Sequence, residues 1–99
     1  MTPVQLEAQA AHATRLLKAL GNEHRLMVLC QLVAGEQSVG ALAQAVGLSQ
    51  SALSQHLAKL RADGLVATRR DSQTIFYRLA SEPAARLLGT LAAIFCPAK

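Results

Sequence analysis

No segment of the chain approaches the roughly 18 to 20 unbroken apolar residues that a membrane-crossing helix requires. The nearest run, Leu87 to Cys96, is interrupted by Gly89 and Thr90. The opening Met1-Thr-Pro-Val-Gln-Leu-Glu lacks the basic-then-apolar layout of an export signal. A soluble protein of the cytoplasm is therefore expected, with no membrane partner. Cysteine is scarce, and two thiols in that compartment do not read as a secreted disulfide scaffold. There is no Cys-x-x-Cys unit, no glycine-rich phosphate loop and no grouping of acid, base and nucleophile; His12, His24 and His56 fall on separate segments. Neither an enzyme nor a cofactor is expected. A closed zinc site asks for four ligands at compatible spacing, which two distant cysteines do not supply, so His12 and His24 read as exposed or capping histidines.

Charge is also sparse. Of 99 residues, 16% are charged and 52% hydrophobic, more apolar surface than one small core easily encloses. One domain over residues 1–99 is expected, with a second subunit covering the excess. The formal net charge is +4, unevenly spread: Lys59, Arg61, Arg69, Arg70 and Arg78 face only Asp63 and Asp71 between positions 59 and 78. Such a patch suits a polyanion, although charge alone leaves an ordinary solvated face equally open.

The apolar pattern supplies the organisation. Leu6, Ala10, Ala13, Leu16, Leu17 and Leu20 recur at helical spacing and stop at Gly21. Asn22 caps a second helix whose stripe is Leu26, Leu29, Cys30 and Val33, ending at Gly35. Ser38 caps a short helix with Leu42, Ala43 and Val46; after Gly47-Leu48-Ser49 a further helix turns Leu53, Leu57 and Leu60 inward and ends at Asp63-Gly64. Two helices joined by so short a glycine-containing turn predict a helix-turn-helix over about residues 38–62. Beyond Gly64 the period shortens to two. Residues 65–69 and 74–79 predict a hairpin around Arg70-Asp71-Ser72-Gln73, and Glu82-Pro83 opens a last helix. The fold expected is mainly α with a small β-hairpin: a winged helix-turn-helix of about five helices, with a two-stranded wing over about 65–79.

A helix that enters the major groove needs short polar side chains near its start and an apolar stripe on the body. Ser49, Gln50, Ser51, Ser54, Gln55 and His56 meet that demand, Lys59 lies further along where phosphates pass, and Arg69, Arg70 and Gln73 sit on the wing. The bland alternative, the wet face of a surface helix, does not account for the turn, the polar start and the basic wing occurring together. His56 stays open between a DNA or phosphate contact, a packed histidine under the wing and a pH-sensitive group. The partner indicated is double-stranded operator DNA.

Residues 48–66, Leu-Ser-Gln-Ser-Ala-Leu-Ser-Gln-His-Leu-Ala-Lys-Leu-Arg-Ala-Asp-Gly-Leu-Val, followed by Thr74-Ile-Phe-Tyr-Arg-Leu79, resemble the ArsR/SmtB winged-helix repressors. Lys18 to Leu26 is similar to that family's entry into its second helix, so the resemblance spans nearly the whole chain. It implies a homodimer built from the first and last helices and repression that an inducer relieves. The family's two familiar metal sites have no counterpart: residues 37–40 lack a thiol, and Pro83 to Cys96 holds no Asp, Glu or His. No metal is expected.

Cys30 alone reads as a small buried hydrophobe as readily as a reactive thiol. Leu29-Cys30-Gln31-Leu32 and Ile94-Phe95-Cys96-Pro97, however, resemble the two cysteine positions of the BigR, SqrR and HlyU type, a branch that responds to reactive sulfur species and oxidants. The resemblance implies redox-sensing thiols at Cys30 and Cys96, whose bridging by a disulfide or polysulfide lowers affinity for DNA. A metal-responsive or constitutive repressor with structural cysteines, and an activator that displaces a silencing protein, remain as alternatives.

Overall fold

Each of the five helices starts on a side-chain oxygen. In the computed structural model, which describes residues 2–96, Thr2, Asn22, Ser38, Ser49 and Ser81 accept a hydrogen bond from the backbone N–H three residues on. Each bond satisfies a donor that the first helical turn leaves free. Thr2 and Gln5 complete a reciprocal capping box. The helices are α1 (Pro3–Leu20), α2 (Glu23–Val33), α3 (Val39–Val46), α4 (Gln50–Ala62) and α5 (Glu82–Phe95); the strands are β1 (Gln37–Ser38), β2 (Val66–Asp71) and β3 (Thr74–Leu79).

The stops are equally local. Gly47 takes φ +71°, a left-handed conformation that a side chain would strain, and Leu48 N–H returns to the Ala43 carbonyl at 3.1 Å. Arg25 closes the end of α1: its guanidinium donates to the carbonyls of Ala19 at 2.9 Å and Lys18 at 2.8 Å, which lack partners within their own helix. The elbow between α1 and α2 is thereby fixed from the α2 side.

The core lies where α2, α3, α4, the base of the hairpin and one face of α5 meet. Val28, Leu29, Leu42, Leu53, Leu57 and Leu60 are its fully buried large side chains, with Leu32, Leu65, Val66, Ala84 and Leu88 around them. Burial of each leucine contributes about 1.5–3 kcal/mol. β2 and β3 pair antiparallel from Val66↔Leu79 to Asp71↔Thr74, and β1 joins the far side of β3 through Gln37↔Tyr77 and Ser38↔Phe76. The winged helix-turn-helix expected from the sequence is thus present, with five helices and the antiparallel wing.

Two local expectations, the phase of α2 and the hairpin turn, are corrected, and two further features lie beyond what the spacing shows. The α2 stripe faces the core through Val28, Leu29 and Leu32, whereas Cys30 and Val33 are exposed. Residues 26–33 are apolar except for Gln31, so spacing leaves the phase of this helix undetermined by one residue. Only the end of α1, at Leu16, Ala19 and Leu20, reaches the core, and Leu6 and Leu17 remain 46% and 59% exposed. The hairpin turn is the pair Ser72-Gln73, because β2 continues through Arg70 and Asp71; Ser72 accordingly takes φ +57°. The short strand β1 has no periodic signal and was not foreseen. Pro97 lies outside the described residues.

Leu53→Ala, beneath the outer face of α4, should lower stability by about 2–5 kcal/mol in urea unfolding at fixed protein concentration. Ser54→Ala, one position on and exposed, should stay within about 0.5 kcal/mol.

Candidate nucleic-acid interface and thiol pair

The three leucines of α4 decide which side of that helix meets solvent. With Leu53, Leu57 and Leu60 buried, Gln50, Ser51, Ser54, Gln55 and Lys59 are exposed and His56 is half-buried at the flank. Among the described residues, Gln50, Ser51, Ser54 and Gln55 have no side-chain hydrogen-bond partner, so their donors and acceptors stay available. Ser49 differs: its hydroxyl oxygen accepts from Ala52 N–H at 3.1 Å as the helix cap. The polar end of α4 is also its positive dipole end, favourable to phosphate oxygens.

On the wing, Arg70 and Gln73 are exposed. Arg69 is engaged with the protein: Nη2 lies 2.7 Å and Nε 2.9 Å from Glu36 Oε1, and the guanidinium stacks 4.6 Å above the Phe76 ring. The Glu36 hydrogen bond holds its pKa above even the usual arginine value. Arg69 ties β2 to the segment that enters β1, and Arg70 points from the neighbouring position of the same strand. The expected wing cations thus differ in freedom. Nothing in local spacing pairs Glu36 with Arg69; a three-dimensional register was needed.

Cys30 on α2 and Cys96 at the end of α5 are both free and exposed. Partial burial pushes the Cys30 thiol up from its ordinary value, and the charge of Cys96 pushes it further. The two thiols lie on helices that pack together, and the charge of Cys96 acts on Cys30. Among the described residues no three His, Cys, Asp or Glu side chains group as metal ligands.

One pairing of histidines has no signature in the spacing of the sequence. His24 in the first turn of α2 and His56 on α4 bring their rings to 5.7 Å between centroids. His56 is held below the ordinary histidine value by partial burial first, then by His24 and Arg25. Elsewhere an open cleft of about 440 Å³ lies between α1, the end of α4 and the start of α5. Arg15 and Asp63 line it and pair across it at 3.1 Å.

A short helix, a glycine turn, a capped helix with an unpartnered polar face and a basic hairpin define a winged helix-turn-helix regulator. Residues 22–68 match the family described as bacterial regulatory protein, arsR family. The transcriptional activator HlyU of Vibrio cholerae is 50% identical over 94 residues, covering 95% of this chain and 87% of the relative. Its reduced structure superposes with a TM-score of 0.88 at 50% identity, covering 93% of this chain and 97% of that one. The transcriptional repressor BigR of Xylella fastidiosa gives a TM-score of 0.93 at 47% identity, covering 100% of both chains. The homodimeric winged helix-turn-helix DNA-binding domain Mb0332 of Mycobacterium bovis gives 0.79 at 34%, covering 95% of this chain and 86% of that one. The chain belongs to the arsR family, in the branch of BigR and HlyU, and is a transcriptional regulator, not an enzyme.

Replacing Cys96 removes the charge contribution at Cys30 and leaves the burial contribution. Cys96→Ser should therefore speed iodoacetamide modification of Cys30 at about pH 9, where thiols ionise, followed by intact mass. An unchanged or slower rate contradicts the electrostatic link.

Proposed function

We propose that the chain is a homodimeric repressor of the cytoplasm that holds operator DNA in its reduced state and releases it when reactive sulfur or an oxidant bridges Cys30 and Cys96. The observation that carries this reading is the pair of exposed free thiols on α2 and at the end of α5, two helices that pack together. Full burial would make Cys30 inert; its side chain is exposed, although partial burial holds its thiol above the ordinary value.

The chemistry closes with a persulfide as oxidant. One cysteine thiolate attacks the terminal sulfane sulfur of R–S–SH, giving a cysteine persulfide and expelling the thiolate RS⁻. The second thiolate then attacks the inner sulfur, forming the disulfide and expelling hydrosulfide. Two thiols lose two electrons and the sulfane sulfur gains them. A direct bridge needs Cα atoms roughly 4.4–6.8 Å apart, while retained sulfur atoms permit a longer polysulfide span.

Dimerisation is supported by apolar side chains that the protomer leaves bare on its first and last helices: Val4, Leu6 and Leu17 on α1, and Ile94 and Phe95, 61% and 74% exposed, on α5. A bridge between α2 and α5 acts beside that face and alters the spacing of the two recognition helices, on which a dimeric reader depends. In each protomer, residues 1–99 work as one domain. Gln50, Ser51, Ser54 and Gln55 read base edges, with Ser49 capping the helix at the groove. His56, Lys59, Arg70 and Gln73 meet the backbone, and Arg69 sets the wing that carries them. The name of HlyU favours a second reading, an activator that displaces a silencing protein with the same contacts. Transcript levels of neighbouring genes after deletion separate the two, rising for a repressor and falling for an activator.

Reduced protein should bind a duplex from its own upstream region, and treatment with an organic persulfide should weaken binding at least tenfold (about 1.4 kcal/mol), with a mass change traced to Cys30 and Cys96. Cys30→Ser and Cys96→Ser should bind like the reduced protein and ignore persulfide; release that persists in either variant defeats the thiol switch. Arg70→Ala should weaken binding uniformly across sequences and lower the slope of log K against log salt by about 1.

A further inference from the structure

His24 and His56 form the one histidine pair among the described residues, their rings 5.7 Å apart between centroids and tilted by 36°. His24 is exposed, His56 half-buried, and neither ring has a hydrogen-bond partner among the described residues, unlike His12, which bonds Gln9 at 3.0 Å. The surroundings are mainly cationic. Arg25 follows His24 on α2, its guanidinium anchored on α1 carbonyls. On α4 itself Lys59 lies one turn beyond His56. α3, packed on the inner side of α4, contains no titratable residue.

Of the acids on neighbouring elements, Glu36, Asp71 and Asp63 are committed elsewhere, while Glu7 of α1 and Glu82 of α5 form no ion pair among the described residues. On β2, Arg69 engages Glu36 and lies 3.9 Å from Asp71; at the end of α4, Asp63 pairs with Arg15 of α1. Glu23, exposed beside His24, forms no ion pair among the described residues. A proton arriving on His56 therefore meets the positive charge of Arg25, and the one uncommitted carboxylate of α2 is Glu23, on the His24 side of the pair. Burial, His24 and Arg25 accordingly disfavour the cationic form of His56. An anion set against both rings reverses that balance, and His56 belongs to the helix whose polar face is the proposed DNA reader.

We infer that His24 and His56 together clamp one backbone phosphate of bound DNA and take up a proton from solvent as they do so, making affinity rise as pH falls. The inference rests on the DNA-binding reading and adds to it a contact outside the recognition helix and the wing, with a sign. Each neutral imidazole that engages the phosphate gains one proton and one positive charge, and no other bond changes.

Free and bound protein then respond to acid in opposite directions. In the free chain His56 binds its proton less well than in the unfolded state, so its contribution to stability is complete above about pH 6.5 and declines as pH falls through that value. In the complex the phosphate favours the proton, so binding tightens over the same range.

The test is fluorescence anisotropy with a duplex of about 30 base pairs from the upstream region, at constant salt, with EDTA present to exclude a metal bridging the rings. Between about pH 8 and pH 6 the wild-type Kd should fall roughly three- to tenfold. His12→Gln should keep that slope, while His56→Gln and His24→Gln should lose most of it and bind more weakly than wild type near pH 6. A flat wild-type profile, or a full slope in either variant, overturns the clamp and leaves DNA binding standing; no binding near pH 8 in low salt overturns both. Calorimetry of the wild type in two buffers of different ionisation enthalpy gives a check independent of the variants. Net proton uptake on binding supports the clamp, and zero uptake near pH 6.5 defeats it.

Discussion

Leu53, Leu57 and Leu60 occupy one side of α4 at 0–1% exposure, and where they go the rest of that helix must follow. Their burial against α2, α3 and the base of the hairpin sets the rotation of α4 about its axis. Rotation by a single residue, about 100°, would carry the leucines toward water and the polar positions into the core. Everything assigned to the DNA face, from the free amides of Gln50 and Gln55 to the flank position of His56, inherits its direction from that stripe. The wing depends on it too, since Leu65 and Val66 enter the same core at the root of β2.

Much of this was legible because it is written locally. Asn22, Ser38 and Ser49 announce helix starts, Gly47 and Gly64 announce left-handed stops, and the change of period after Gly64 announces the hairpin. What escaped depends on contacts between distant segments. The phase of α2 could not be read because its apolar residues almost surround it. The engagement of Arg69 with Glu36, the approach of His24 to His56 and the pairing of β1 with β3 each need a fold before they exist. Cys30 illustrates the cost: assigned to the inner stripe, it lies one step round the helix, exposed.

That single step alters the chemistry open to the molecule. A cysteine facing the core would be a packing residue, and Cys96 would have nothing to exchange with. On the outer side of α2, Cys30 is exposed between the exposed Met27 and Val33, and Cys96 directly follows the bare Ile94 and Phe95 of α5, so the thiol pair adjoins part of the proposed dimer face. Control and assembly then draw on the same helices, while the reading surface stays on α4 and the wing.

The cap at Ser49 has a consequence for how such a reader diversifies. Its hydroxyl starts α4, so selection on folding restrains it whatever operator the protein meets. Gln50, Ser51, Ser54 and Gln55 carry no such duty. If these four positions read the operator as proposed, a lineage can drift at them and acquire a new operator without passing through an unfolded intermediate, with the serine before them as the fixed margin of a rewritable line.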